Sequence, residues 1–181
     1  MANPVVPEIE VLIASAVYLW GRGARPISMS ISRGSRAGRL PDRQRLKTEL
    51  QKAGIADDVP IYDNGEDLVA ASATELWYVE CKGSPSKDGN SETEARAGTH
   101  WNQFDRALSS LVSDYDKLQE ETKAGATAYL GLALPLTDHY LKRLKHKLGK
   151  RLRARLNIWV LLYDAQAGTV SAISPNEDYP N

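Results

Sequence analysis

Gly65-Glu66-Asp67-Leu68-Val69-Ala70-Ala71 and Leu76-Trp77-Tyr78-Val79-Glu80-Cys81-Lys82-Gly83 are the two stretches whose reading decides the fold. Asp63-Asn64-Gly65 is a turn signal ahead of the first, and the small residues Ser72-Ala73-Thr74 leave room only for a tight turn between them. Two apolar runs joined so closely pair as a hairpin. Side chains alternate across a strand, so Trp77, Val79 and Cys81 face the core while Glu80 and Lys82 share the other face. A turn at residues 72 to 74 brings Asp67 back alongside Glu80. A carboxylate and an ammonium at the end of such a strand cost free energy unless they pair or bind something.

Outward from the hairpin, helices and strands alternate. Ile9, Leu12, Ile13, Ala16, Val17 and Trp20 recur at helical spacing, with Pro7 before them and Gly21 and Gly23 after. The run from Pro26 to Ser32 alternates like a half-buried strand, a Gly/Arg/Ser-rich loop follows, and Pro41-Asp42 opens a polar helix reaching Ala53-Gly54. Past a polar stretch, Gly83 to Gly98, the residues Trp101, Phe104, Leu108, Leu111, Tyr115 and Leu118 predict one core-facing helix. Residues 128 to 134 read as a buried strand stopped by Pro135, and Leu141, Leu144, Leu148, Leu152 and Leu156 as a further helix. Ile158 to Tyr163 is the next strand, and Gly168 to Ile173 can return beside it. The expectation is an α/β protein with a central mixed β-sheet flanked by helices, one domain over 1–174 and a loose tail over 175–181.

Two carboxylates converging at a sheet edge suit a hard divalent cation, which takes oxygen ligands at short, fixed distances. Such an ion polarises a phosphodiester and lowers the pKa of a bound water, and a lysine beside it orients that water or stabilises developing charge. Asp67, Glu80 and Lys82 thus point to metal-assisted phosphodiester hydrolysis. The competing reading is a Glu80–Lys82 ion pair on a solvated face, because Glu-x-Lys is a common tripeptide.

The acid on one strand and the acid-x-lysine on the next resemble the first and second motifs of the PD-(D/E)XK nuclease superfamily, which has the restriction-endonuclease-like fold. Asp67 matches the first motif, with Glu66 in place of its proline, and Glu80 with Lys82 matches the second. The resemblance implies a Mg²⁺-dependent nuclease cutting DNA in defence, repair or recombination. It implies that Asp67, Glu80 and the backbone carbonyl of Cys81 hold Mg²⁺, with Mn²⁺ as a substitute, while Lys82 acts on the attacking water. An acid on a leading helix is usual in the family, and Glu10 fits its spacing better than Glu8, which suits the helix dipole. A polar residue on the helix after the second motif is also usual, which gives Gln103 a supporting role, although no tyrosine stands four residues on. RNA stays open as a substrate, and strand-cutting nucleases of this kind often work as homodimers or in larger nuclease complexes. The alternative within the fold is a member that binds nucleic acid or a partner without cutting.

The chain has 181 residues, 42% of them hydrophobic, and a formal net charge of zero. Zero net charge speaks against a nucleic-acid binder; its distribution does not. Gly21 to Lys52 is rich in arginine, and Lys142 to Arg155 carries no acid. Basic stripes of this kind can track phosphates even when the total cancels. Arg33, Arg36 and Arg39 are candidates for contact from an arm, and Lys145, Lys147 and Arg151 from a helix; the plainer reading of each block is a solvated face. The single cysteine excludes an internal disulfide and a cysteine zinc cage within one chain. With no apolar run long enough for a membrane and no export-like leader, the expected location is the cytoplasm.

Overall fold

The computed structural model describes residues 5–31, 39–55, 58–84 and 99–180, with the side chains of 39–40 and 99–103 excepted. Its elements run α1 (Glu8–Gly21), β1 (Arg25–Ser30), α2 (Arg39–Lys52), β2 (Ile61–Tyr62), β3 (Leu68–Ala71), β4 (Glu75–Cys81), α3 (Thr99–Ser113), α4 (Tyr115–Glu121), β5 (Thr127–Pro135), α5 (Asp138–Lys147), α6 (Lys150–Leu156), β6 (Ile158–Asp164) and β7 (Thr169–Ile173). The strands form one mixed sheet in the order β2-β1-β3-β4-β5-β6-β7.

The β3–β4 hairpin forms as the alternation requires. Leu68 pairs with Val79 and Ala71 with Leu76, antiparallel. Ser72 closes the turn: its N–H donates to the Glu75 carbonyl at 2.9 Å, and its hydroxyl accepts from the N–H groups of Thr74 and Glu75. β4 then pairs parallel with β5, and β5 with β6, which makes these the central strands. Trp77, Val79 and Cys81 are buried against α1 and α2, while Tyr78 is buried on the other face with Phe104, Ala107 and Leu111 of α3 and Tyr140 and Leu144 of α5. A parallel centre needs cover on both faces, and these two helical layers supply it.

Two helices expected as continuous are divided. Asp114 separates α3 from α4, although its N–H still reaches the Ser110 carbonyl and its own carbonyl accepts from Leu118. Gly149 makes a sharper break, because its extended backbone (ψ 155°) ends one helix and starts the next. The break changes the phase of the leucine stripe. Leu144 and Leu148 are buried as expected, but Leu152 is 40% exposed and Arg153 takes the inward position.

Arg153 also overturns the expectation of a loose tail beyond 174. Its guanidinium donates to the carbonyls of Ser174 (2.7 Å) and Glu177 (2.5 Å) and lies over the Tyr179 ring, while the Tyr179 hydroxyl donates to the Leu148 carbonyl. The tail supplies the acceptors this buried cation requires. Arg153→Ala should therefore cost about 2–4 kcal/mol of stability and open residues 175–180 to proteolysis, as read by urea denaturation and limited digestion.

Candidate active site

β4 ends at Cys81, and Lys82 follows with its N–H on the Ala133 carbonyl of β5. One step beyond the Leu68–Val79 pair, the same register sets Asp67 opposite Glu80. The Asp67 carboxylate accepts from the Cys81 backbone N–H at 2.7 Å, which pins it to the end of β4. On the other side, the Asp67 carbonyl accepts from Ser30 of β1, and Gly65 enters the turn at φ +117°, a conformation L side chains rarely adopt.

Four oxygens surround the Lys82 ammonium: the Cys81 carbonyl at 2.7 Å, Glu80 Oε1 at 2.8 Å, Asp67 Oδ2 at 3.4 Å and Glu8 Oε2 at 3.7 Å. The expected trio of Asp67, Glu80 and Lys82 is thus together. A leading-helix acid is present too, but it is Glu8. Glu10 lies two residues on, about 200° round the helix axis, and pairs instead with Arg45 of α2 at 2.9 Å. The side chain of Gln103 lies outside the described residues, as do Arg33, Arg36 and the side chain of Arg39.

Gly83 holds Glu8 in place. A Cβ there would stand 2.5 Å from the Glu8 nitrogen and 2.7 Å from the Val6 carbonyl oxygen, so only glycine lets the first turn of α1 lie against the end of β4. Ser84 N–H donates to the Val6 carbonyl at 2.7 Å, and the Tyr140 hydroxyl of α5 donates to the Gly83 carbonyl at 2.7 Å. Burial pushes that phenol up to about 12, so it remains a donor.

The electrostatics follow from burial. The Asp67 side chain is 7% exposed and Glu8, at the rim, 37%. Burial, assisted by the charges of Glu80 and Glu8, pushes the Asp67 carboxyl from 3.8 to about 7 against the opposing pull of Lys82. Burial raises Glu80 as well. Burial disfavours the Lys82 ammonium, but Asp67, Glu8 and Glu80 together outweigh it and hold the group protonated. The Cys81 thiol, pushed well up by complete burial, packs in the core and offers no nucleophile.

Three carboxylates against one ammonium leave a formal charge of −2, which protons or a divalent cation can neutralise. The donor set is all oxygen, as Mg²⁺ or Mn²⁺ prefers. In this arrangement the ammonium fills the middle of the cage, and no three His, Cys, Asp or Glu side chains among the described residues stand at ligand spacing by themselves. The cluster opens into a cleft of about 360 Å³ lined also by Gly65, Arg106 and Ser110. Arg106 and Ser110 went unnoticed in the sequence. They lie three and seven residues after Gln103, on the same flank of α3, and that spacing is the signal that points to them.

The basic blocks are less free than composition implied. In the first, Arg25 pairs with Asp58, Arg43 with Asp63, Arg45 with Glu10 and Lys52 with Glu49, while Arg22 lies over Trp159 at 4.8 Å. In the second, Arg143 pairs with Asp105 and Arg153 is buried, whereas Lys145, Lys147 and Arg151 are exposed. Among the described residues no helix is long and apolar enough to cross a membrane.

No protein-family model matches the chain, and no curated protein matches it. A solved structure, that of an XisH family protein from Nostoc punctiforme PCC 73102, is similar over 90% of this chain and 96% of its own, with 15% sequence identity and a TM-score of 0.43.

Two outcomes follow from the geometry. A carboxyl raised in the folded state binds its proton more tightly than in the unfolded chain, so its contribution is favourable in acid and is lost as pH rises through about 7. In chelator the melting temperature should fall as pH rises from about 4 to about 7, and Asp67→Asn should remove most of that fall. Gly83→Ala should cost about 2 kcal/mol by overpacking and displace the start of α1, measurable by chemical denaturation and by faster amide exchange at Glu8 and Ile9.

Proposed function

We propose that this chain is a divalent-metal-dependent nuclease of the PD-(D/E)XK superfamily, hydrolysing phosphodiester bonds of DNA. The observation that carries the reading is the oxygen cage around Lys82. Two strands and a helix from separate parts of the chain deliver three carboxylates and a carbonyl to one small volume, where the unneutralised charge is costly. Like charges held together at such cost cluster at functional sites.

Asp67, Glu80 and the Cys81 carbonyl would hold Mg²⁺ or Mn²⁺. The chemistry such an ion supplies is polarisation of the phosphodiester and a lower pKa for the attacking water. The protein's own groups do the rest. Lys82, kept as an ammonium, donates hydrogen bonds and cannot itself take a proton; its part is to orient the attacking water and stabilise charge developing on the phosphate. Glu8, half-exposed at the mouth of the cleft, is placed to accept the proton the water gives up. It stands where the resemblance put a leading-helix acid and favoured Glu10. The Cys81 N–H fixes the rotamer of Asp67, and the Tyr140–Gly83 bond fixes the backbone beside Lys82.

The exposed Lys145, Lys147 and Arg151 support contact with a phosphate backbone. They lie along α5 and α6, and the two lysines stand about 8–11 Å along the helix axis from Tyr140. A second reading, a member of the fold that binds nucleic acid without cutting, draws on the fact that the ammonium already occupies the cage.

Purified protein should nick or degrade DNA with Mg²⁺ or Mn²⁺ and stop with chelator, and Lys82→Ala and Asp67→Asn should each lower the rate at least about 100-fold while retaining the wild-type circular-dichroism spectrum. Metal-independent retardation of DNA without cleavage would favour the second reading, and full cleavage by the folded Lys82 variant would remove that residue from the mechanism.

A further inference from the structure

The cleft in front of the carboxylates has one cationic wall that the cluster does not use. Arg106 lies on α3, whose neighbouring residues Phe104, Ala107 and Leu111 are buried against the sheet. A residue one position before Ala107 falls about 100° round the axis, on the flank of the helix, and Ser110 falls one turn further along the same flank. Both side chains line the cleft together with Glu8, Asp67, Glu80 and Lys82.

Arg106 is set apart by its place, beside a cluster of carboxylates none of which it pairs with. Arg25, Arg43, Arg45 and Arg143 each pair with an acid. Arg106 shares a cleft with three carboxylates, yet among the described residues no carboxylate pairs with its guanidinium. Its side chain is exposed. The Asp105 beside it is taken by Arg143 of α5 at 2.7 Å. The result is a guanidinium fork and a hydroxyl, one helical turn apart, facing a site whose other charged groups, three carboxylates and the Lys82 ammonium, sum to a negative charge.

We propose that Arg106, with Ser110 beside it, is the contact for a DNA phosphate flanking the bond to be cut. The proposal rests on the phosphodiester reading above. An anionic strand approaching three carboxylates is repelled, and a cation on the opposite wall offsets that repulsion where the strand must pass. A guanidinium is suited to this because its planar fork binds two phosphate oxygens at once and keeps its charge at every working pH. The serine hydroxyl adds one further donor to the same phosphate. Such a contact positions the strand and carries no base preference.

The test measures binding of a fluorescent DNA duplex, and of its single strand, to the full chain in chelator, so that nothing is cut. Arg106→Ala should weaken binding about 10-fold for every sequence tried and lower the slope of log affinity against log salt by about 1, with Arg106→Lys intermediate. Ser110→Ala should weaken it about 2–5-fold. The Mg²⁺-induced rise in melting temperature should stay at its wild-type size in Arg106→Ala and vanish in Asp67→Asn.

Unchanged affinity in Arg106→Ala overturns the proposal while leaving the nuclease reading intact. Loss of the Mg²⁺ shift in Arg106→Ala also overturns it, by assigning the residue to the carboxylate cluster. Weakened binding in that variant, when the wild-type chain fails to cut DNA with Mg²⁺ or Mn²⁺, upholds the phosphate contact and ends the nuclease reading. Failure of the wild-type chain to bind DNA at all ends both.

Discussion

Bringing three carboxylates and an ammonium into one poorly solvated cleft is the constraint around which the rest of the chain is arranged. The attraction of Lys82 for Glu80, Asp67 and Glu8 offsets part of the loss of hydration, and only while all four groups are held at short range. Three of them are held by backbone as well as by charge. Asp67 receives the Cys81 N–H, Lys82 reaches the Cys81 carbonyl, and Glu8 is carried in by a helix start that fits only because residue 83 has no side chain. Electrostatics alone would let the four spread into solvent; the hairpin register and the glycine seat prevent it.

The same logic explains why the sheet is covered on both faces. β4 carries the cluster at its C-terminal end, and its neighbours β5 on one side and β3 on the other are themselves buried, so the cluster sits on a rigid centre rather than at an edge. The helices that cover the two faces also build the cleft: α1 brings Glu8 from one layer, and α3 brings Arg106 and Ser110 from the other. Tyr140, reaching from α5 to the carbonyl of Gly83, ties the second layer to the backbone beside the lysine. The site is thus a product of both layers and of the strand between them.

Charge in this protein is spent largely on structure. Most described cations of the first basic segment are paired or stacked, and two arginines of the second are committed to Asp105 and to the C-terminal carbonyls. Clusters of arginine in a sequence therefore overstate the free positive surface, because many of those side chains find acids brought near by folding. Arg153 shows the effect most clearly. Read as part of a solvated basic helix, it is instead the buried post on which the last residues hang.

The hairpin, the pairing of Asp67 with Glu80, the central strands and the mixed α/β architecture were legible in the sequence because they follow from local rules. Alternation with period two sets which side chains share a face, and a tight turn sets the register. Those rules reach only along a strand and across one turn. The choice of Glu8 over Glu10 depends on how α1 is rotated against β4, which a close approach at Gly83, remote in the chain, determines. The inward turn of Arg153 depends on a change of helix phase at Gly149, and the presence of Arg106 in the cleft depends on how α3 lies across the sheet. All three are relations between elements far apart in sequence, where no local periodicity acts, and the packing of the two helical layers decided them.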